Sequence, residues 1–145
     1  MKSKLFYFLP LIIAFASGCL SNKNTTPVPL PSGTFTGQFR RIHISQKTGV
    51  RDTQLASLQL VLNTATGFKV TGDTATVHAG SYGGYAIAQG YIQFNDLTYP
   101  ASGTPTKTHL EGTYLYYYDG SVFQMLYTTT PDTVSLQYDL KKTAN

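Results

Sequence analysis

From Gly33 onward, apolar residues recur every second position instead of every third or fourth, which is the period of a half-buried strand. Phe35, Gly37 and Phe39 alternate with Thr34, Thr36 and Gln38. Successive side chains of a strand point to opposite faces, so the two phenylalanines share one buried side. The phase slips at Arg40 and Arg41, because Ile42 and Ile44 carry the next apolar pair. A β-bulge is the expected cause. Ala56, Leu58, Leu60 and Leu62 form a second strand, and Phe68 and Val70 begin a third with room to run through Gly72 to Val77. Gly80, Gly83 and Gly84 predict a loop or a tight corner. Tyr85 and Ile87 then pair with Ile92 and Phe94 through a turn at Gln89 and Gly90, and residues 101–107 read as a loop. Leu110, Gly112, Tyr114, Tyr116 and Tyr118 alternate up to Asp119 and Gly120, a strong hairpin signal. Phe123, Met125 and Tyr127 return from it, and Val134, Leu136, Tyr138 and Leu140 close the chain.

The fold class is therefore all-β: a single small antiparallel up-and-down β-barrel of about eight strands, since closure removes the exposed edges of a long meander. The alternation places Leu58, Leu60 and Leu62 in one interior with Tyr114, Tyr116 and Tyr138, because a one-residue slip would turn each of them outward. Phe35, Phe39, Leu58, Leu60, Tyr114, Tyr116 and Tyr138 are the candidate lumen and ligand-binding residues. A barrel of roughly eight strands is either filled by side chains or holds one small ligand. Rings this large fill much of it, so a ligand must be small or sit at an open mouth. Gly37, Ala56 and Gly112 are the positions where room would be left. Gly33-Thr34-Phe35 resembles the Gly-x-aromatic start of lipocalin-like (calycin-like) barrels. The run from Gly112-Thr113-Tyr114 to Tyr138-Asp139-Leu140-Lys141 resembles the closing strands of small lipocalin-like lipoproteins. Phe35 stands where lipocalins proper have Trp, and the chain has no Trp. The resemblance implies a ligand carried in the lumen.

Residues 1–18 read as a targeting segment. Lys2 and Lys4 precede the apolar run 5–15, followed by Ala16-Ser17-Gly18-Cys19. That is a secretory signal, too short to span a bilayer. Ala14-Phe15-Ala16 fits ordinary signal peptidase. Ala16-Ser17-Gly18-Cys19 resembles the lipobox of bacterial lipoproteins, in which Cys19 is acylated and becomes the mature N-terminus. The lone Cys of the chain directly follows the small pair, which favours the lipobox. Residues 19–32 then form a lipidated N-terminus and tether with Pro27, Pro29 and Pro31 at alternate positions, an extended spacer. Residues 33–145 form the barrel domain. Leu20 follows the cysteine where an Asp would retain such a protein at the inner membrane, so the expected place is the outer membrane, facing the periplasm.

Charge and chemistry narrow the function further. The chain of 145 residues is 41% hydrophobic, only 12% charged and has a net charge of +4. Losing Lys2 and Lys4 leaves nine basic against seven acidic groups, or +2. With no basic stripe, nucleic acid is not an expected partner. Arg40, Arg41, Lys47 and Arg51 read as a solvated hairpin end, with an anionic partner as the other reading. His43, His78 and His109 lack metal-ligand spacing and are expected at exposed or edge positions, so no metal or other cofactor is expected. Asp52, Asp119 and Asp132 are expected at turns. Glu111 falls opposite Leu110 and Gly112, which puts it outside. His78, Ser81 and Asp73 invite comparison with a nucleophilic triad. However, Ala79-Gly80-Ser81-Tyr82-Gly83 lacks the first Gly of a nucleophile elbow, and no helix follows.

The inventory thus argues against an enzyme. It favours a membrane-anchored envelope lipoprotein whose non-catalytic barrel binds a small apolar or amphipathic ligand. The alternative is a structural or protein-interaction lipoprotein, inhibitor-like, with a filled barrel. Either is expected to be a monomer, held to the membrane by acyl chains, with a small ligand or an envelope protein as partner.

Overall fold

Eight antiparallel strands form where the two-residue period runs. They are β1 (Gly33–Ile44), β2 (Arg51–Asn63), β3 (Gly67–Gly72), β4 (Tyr82–Ala88), β5 (Tyr91–Asp96), β6 (Gly112–Tyr118), β7 (Val122–Thr128) and β8 (Thr133–Lys142). Each pairs with the next, and β8 returns to β1, closing an up-and-down barrel. The computed structural model describes residues 29–129 and 133–143, and no helix occurs among them. Cys19, the preceding signal segment and Asp132 lie outside the described residues.

The two ends of the barrel differ. At the base, the chain enters through residues 29–32 and the turns are short: 64–66, 89–90 and 119–121. Asp119 fastens the last of these, its carboxylate accepting from the Ser121 and Val122 amides at 2.8 and 2.7 Å. At the mouth lie the β1–β2 turn and two long connections, 73–81 and 97–111.

Inside, one apolar cluster runs the length of the barrel. Phe35, Phe39, Ile92, Leu110, Tyr114 and Phe123 are fully enclosed, and Leu58, Leu60, Leu62 and Tyr138 nearly so. Burial of each such side chain stabilises the fold by about 1.5–3 kcal/mol.

Several local expectations are corrected. No bulge interrupts β1, which pairs residue for residue with β2 and β8 through Arg40 and Arg41. The apolar phase changes because Arg41 reaches the polar mouth, while Ile42 is buried outside the main cluster. β3 stops at Gly72 instead of running to Val77, because the chain turns at 73–76 to fold over the mouth. Asp52 lies within β2, paired with His43, not at a turn. Gly37 leaves no room in the lumen: a Cβ there would lie 2.1 Å from the Asp139 carbonyl oxygen, so β1 and β8 close tightly only because the side chain is missing. Gly83 and Gly84 lie within β4 and not in the expected loop or tight corner. Gly83 lets the strands pack closely, since a Cβ there would meet the Asn95 carbonyl oxygen at 2.0 Å, whereas Gly84 has open space around it.

Candidate functional site

The two mouth connections are stitched to each other before either reaches the lumen. Thr108 donates its amide to Val77 at 2.9 Å, and Ala79 donates to Thr108 at 2.8 Å. This pairing drives the intervening His78 side chain down into the barrel, where it is wholly buried. Its Nδ1 lies 2.6 Å from the Ala79 carbonyl, an acceptor, so that nitrogen carries the hydrogen. Nε2 then accepts from the Tyr138 hydroxyl at 2.8 Å. The ring stands edge-on to Phe39, with centroids 4.8 Å apart. Burial lowers its pKa to about 4, so the neutral ring is the one that fits. His78 is therefore a stopper and not the exposed or edge histidine expected, because both its nitrogens find partners inside.

Above the stopper sits a second polar group. Asp96 ends β5, and its Oδ1 accepts from the Thr98 amide at 2.7 Å and the Thr98 hydroxyl at 2.6 Å. Its Oδ2 meets His109 Nδ1 at 2.8 Å. Burial pushes the Asp96 carboxyl up, but hydrogen bonds from Thr98, Ser81 and His109 outweigh it and hold the carboxyl below its ordinary value. The Tyr99 ring stands edge-on to the His109 ring at 5.4 Å. Glu111 is not turned outward as its position between Leu110 and Gly112 suggested. Gly112 adopts φ 91°, which breaks the alternation, and the Glu111 carboxylate accepts from the Asp96 amide.

This arrangement orients an imidazole but does not assemble a nucleophilic relay. Ser81 lies on the Asp96 side, also accepting from the Leu110 amide at 3.3 Å, and Asp73 is exposed. The order nucleophile, imidazole, carboxylate is not formed by these residues. Among the described residues, no three His, Cys, Asp or Glu converge as metal ligands would.

The candidate lumen residues do come together. Phe35, Phe39, Leu58, Leu60, Tyr114 and Tyr138 are buried in one interior, while Tyr116 is half-buried against it. Their rings meet across the barrel and leave the lumen occupied. Phe68 meets Phe94 at 5.0 Å, Phe94 meets Tyr114 at 5.8 Å, Tyr114 meets Tyr138 at 5.7 Å, and Tyr138 meets Phe39 at 4.8 Å. Burial raises the Tyr114 and Tyr138 hydroxyls above their ordinary range, keeping both neutral.

Open space lies instead at the rim. A cavity of about 820 Å³ at the mouth is walled by Val77, Tyr127, Val134 and Leu136 and edged by Arg41 and His109. Arg41 donates to Gln54 at 3.4 Å and has no carboxylate partner among the described residues. By contrast Arg40 pairs with Asp139, so the two adjacent arginines differ in what they leave available. On the outer wall, the register aligns Tyr91, Leu115 and Leu126 across β5, β6 and β7, with Tyr117 beside them. All four are exposed.

Asp96 and Thr98 were not singled out from the sequence, and neither the inward turn of Glu111 nor the burial of His78 was expected from it. Asp96-x-Thr98 carries a local signal, since Asp binds the backbone two residues on. The pairing of 77–79 with 108 has none, being a contact between two loops. Comparison of this chain with protein-family models, with curated proteins and with solved structures finds no match.

Proposed function

We propose that this chain is a membrane-anchored envelope lipoprotein, held by acyl groups on Cys19. Its barrel is a non-catalytic binding module that takes a small amphipathic anion at the mouth instead of a ligand within the lumen. The observation that carries this reading is the 820 Å³ cavity above an interior closed by His78. Its volume falls in the usual range for small-molecule sites, and its lining mixes apolar with polar side chains, Lys107 and Glu111 among them. Val77, Val134 and Leu136 offer apolar wall, and Arg41 offers a cation with no acidic partner among the described residues.

Octanoate, titrated into the mature chain in detergent and followed by NMR, tests this. Shifts at Val77, Val134 and Leu136, weakened in Arg41→Gln, are the expected result. Shifts centred on Leu60 and Tyr114 would return the ligand to the lumen, and no shifts at either place would remove the reading. The second reading, docking of another envelope protein, is favoured by the apolar row Tyr91, Leu115 and Leu126 on the outer wall.

A further inference from the structure

The barrel closes, but one seam closes over only part of its length. β3 and β4 pair at Phe68 with Gly83 and at Lys69 with Tyr82, and the Val70 amide donates to the Ser81 carbonyl at 2.7 Å. β4 then runs on to Ala88, paired with β5 throughout, from Gly83 with Asp96 to Ala88 with Tyr91. Its other edge, past the 64–66 turn, has no strand beside it among the described residues.

The ladder fixes which groups are left over. The Ser81 carbonyl faces β3, whereas the Tyr82 carbonyl faces the other way and accepts from the Leu97 amide at 3.0 Å. Backbone groups alternate sides along a strand. The N–H and C=O of Tyr85 and Ile87 therefore face the open edge, and those of Gly84 and Ala86 face β5. Beside this edge runs a groove of about 1140 Å³ lined by Tyr85, Ile87 and Leu97, and by Leu30 and Pro31 of the tether. The Tyr85 hydroxyl is buried without a hydrogen-bond partner, and Leu30 is 64% exposed.

The tether has a matching property. In Thr26-Pro27-Val28-Pro29-Leu30-Pro31, every second residue lacks an N–H. In an extended chain those vacancies fall on one side, and the donors of Thr26, Val28 and Leu30 fall on the other. Such a segment can add to a strand edge with one side while offering no donor for a further strand on its outer side. It is also already delivered to the groove, because Leu30 and Pro31 line it.

We infer that residues 24–28 of this chain add to the open edge of β4 as a ninth, one-sided strand, Val28 opposite Tyr85 and Thr26 opposite Ile87. Val28 covers the apolar groove and satisfies edge groups that water alone otherwise serves. For a chain anchored at Cys19, the free leash then runs from Cys19 to Asn24. Its reach falls from about 43 Å for Cys19 to Gly33 to about 15 Å, at roughly 3.1 Å per extended residue. The base of the barrel is thereby held toward the bilayer and the mouth cavity away from it.

Amide hydrogen exchange on the mature acylated chain in detergent, wild type against the double variant Thr26→Pro and Val28→Pro, tests the inference. The two prolines remove the donors on the docking side and touch nothing in the barrel. The expected result is that Tyr85 and Ile87 exchange about tenfold faster or more in the variant, since a laddered amide exchanges only by opening. Gly84 and Ala86, bonded to β5, should not change, which shows that the barrel is intact. Pro27→Ala, which alters only the outer side, should leave Tyr85 and Ile87 protected. Equal exchange in wild type and the double variant overturns the inference. Protection that ignores the prolines but rises with protein concentration also overturns it, and assigns the edge to a second copy of the chain.

Discussion

Acidification should destabilise this barrel over a window set by His78. An unfolded chain presents that imidazole to water, where it takes a proton near its ordinary 6.5. The folded chain holds it neutral down to about 4, chiefly because burial disfavours the charged form. Of its nearest charged neighbours, His109 disfavours the proton further and Asp96 favours it, and the two are smaller effects. Above pH 6.5 neither state binds the proton, and the contribution is complete. As pH falls from 6.5 towards 4, the unfolded state binds a proton that the native state cannot, so stability drops. A difference of about 2.5 units at 1.36 kcal/mol each gives about 3 kcal/mol. Against a typical total of about 5–15 kcal/mol, that is a large share.

Urea denaturation across this window, in wild type and in His78→Gln, measures it. Glutamine does not titrate, so its slope should be flatter whatever its starting stability. Asp96 and Asp119, whose carboxyls are held below 3.8, contribute stability that is lost only at lower pH, outside the window. The His78 ring itself can be followed by NMR in the wild type, which keeps the test intact if the variant folds poorly. Parallel slopes for the two proteins, or a ring that titrates near 6.5, would refute the argument.

Two further perturbations have definite outcomes. Gly37→Ala places a Cβ 2.1 Å from the Asp139 carbonyl oxygen and 2.9 Å from the Leu140 Cα, both backbone. It should lower the urea-derived stability by about 2 kcal/mol or more, whereas Gly84→Ala, with open space around it, should be close to neutral. Cys19→Ser should move the protein from the membrane to a soluble or unprocessed fraction. A mature N-terminus at Ser17 by mass spectrometry would instead show ordinary secretion.

The strands were legible because each carries its own period. Leu58, Leu60 and Leu62 announce their shared face without reference to any other segment, and the Tyr114 and Tyr138 runs do the same. Where period and position conflicted, the sequence misled. The slip at Arg40 and Arg41 looked like a bulge because Arg41 reaches a polar mouth that only the assembled barrel creates. Glu111 looked outward because the alternation was carried through Gly112, whose left-handed φ breaks it. His78 was illegible for a different reason. Its burial depends on Thr108, thirty residues away, pairing with the backbone around it, and on Tyr138 offering a hydroxyl at the right depth. No local pattern encodes two loops meeting.

The occupied lumen sets the cost of placing any ligand at the centre of this barrel. Admitting an acyl or aryl ligand to the centre requires expelling rings such as Phe39, Tyr114 and Tyr138, which pack on one another at 4.8–5.7 Å. Returning three such side chains to water costs about 5–9 kcal/mol at about 1.5–3 kcal/mol each. That approaches the whole stability of a small domain. A ligand recovers about 0.8 kcal/mol per buried CH₂, so a chain of eight carbons barely balances the loss before its own ordering is counted. At the mouth nothing need be expelled. The walls at Val77, Val134 and Leu136 already stand around open space, and Arg41 is already placed at its edge. A ligand at the proposed rim site would keep the transfer free energy of whatever apolar surface it buries there. His78, its neutral ring bonded to Tyr138, closes the interior beneath the two mouth connections. Acid sensitivity of the fold therefore originates at His78, whereas the proposed binding at the rim requires no change in the interior that it seals.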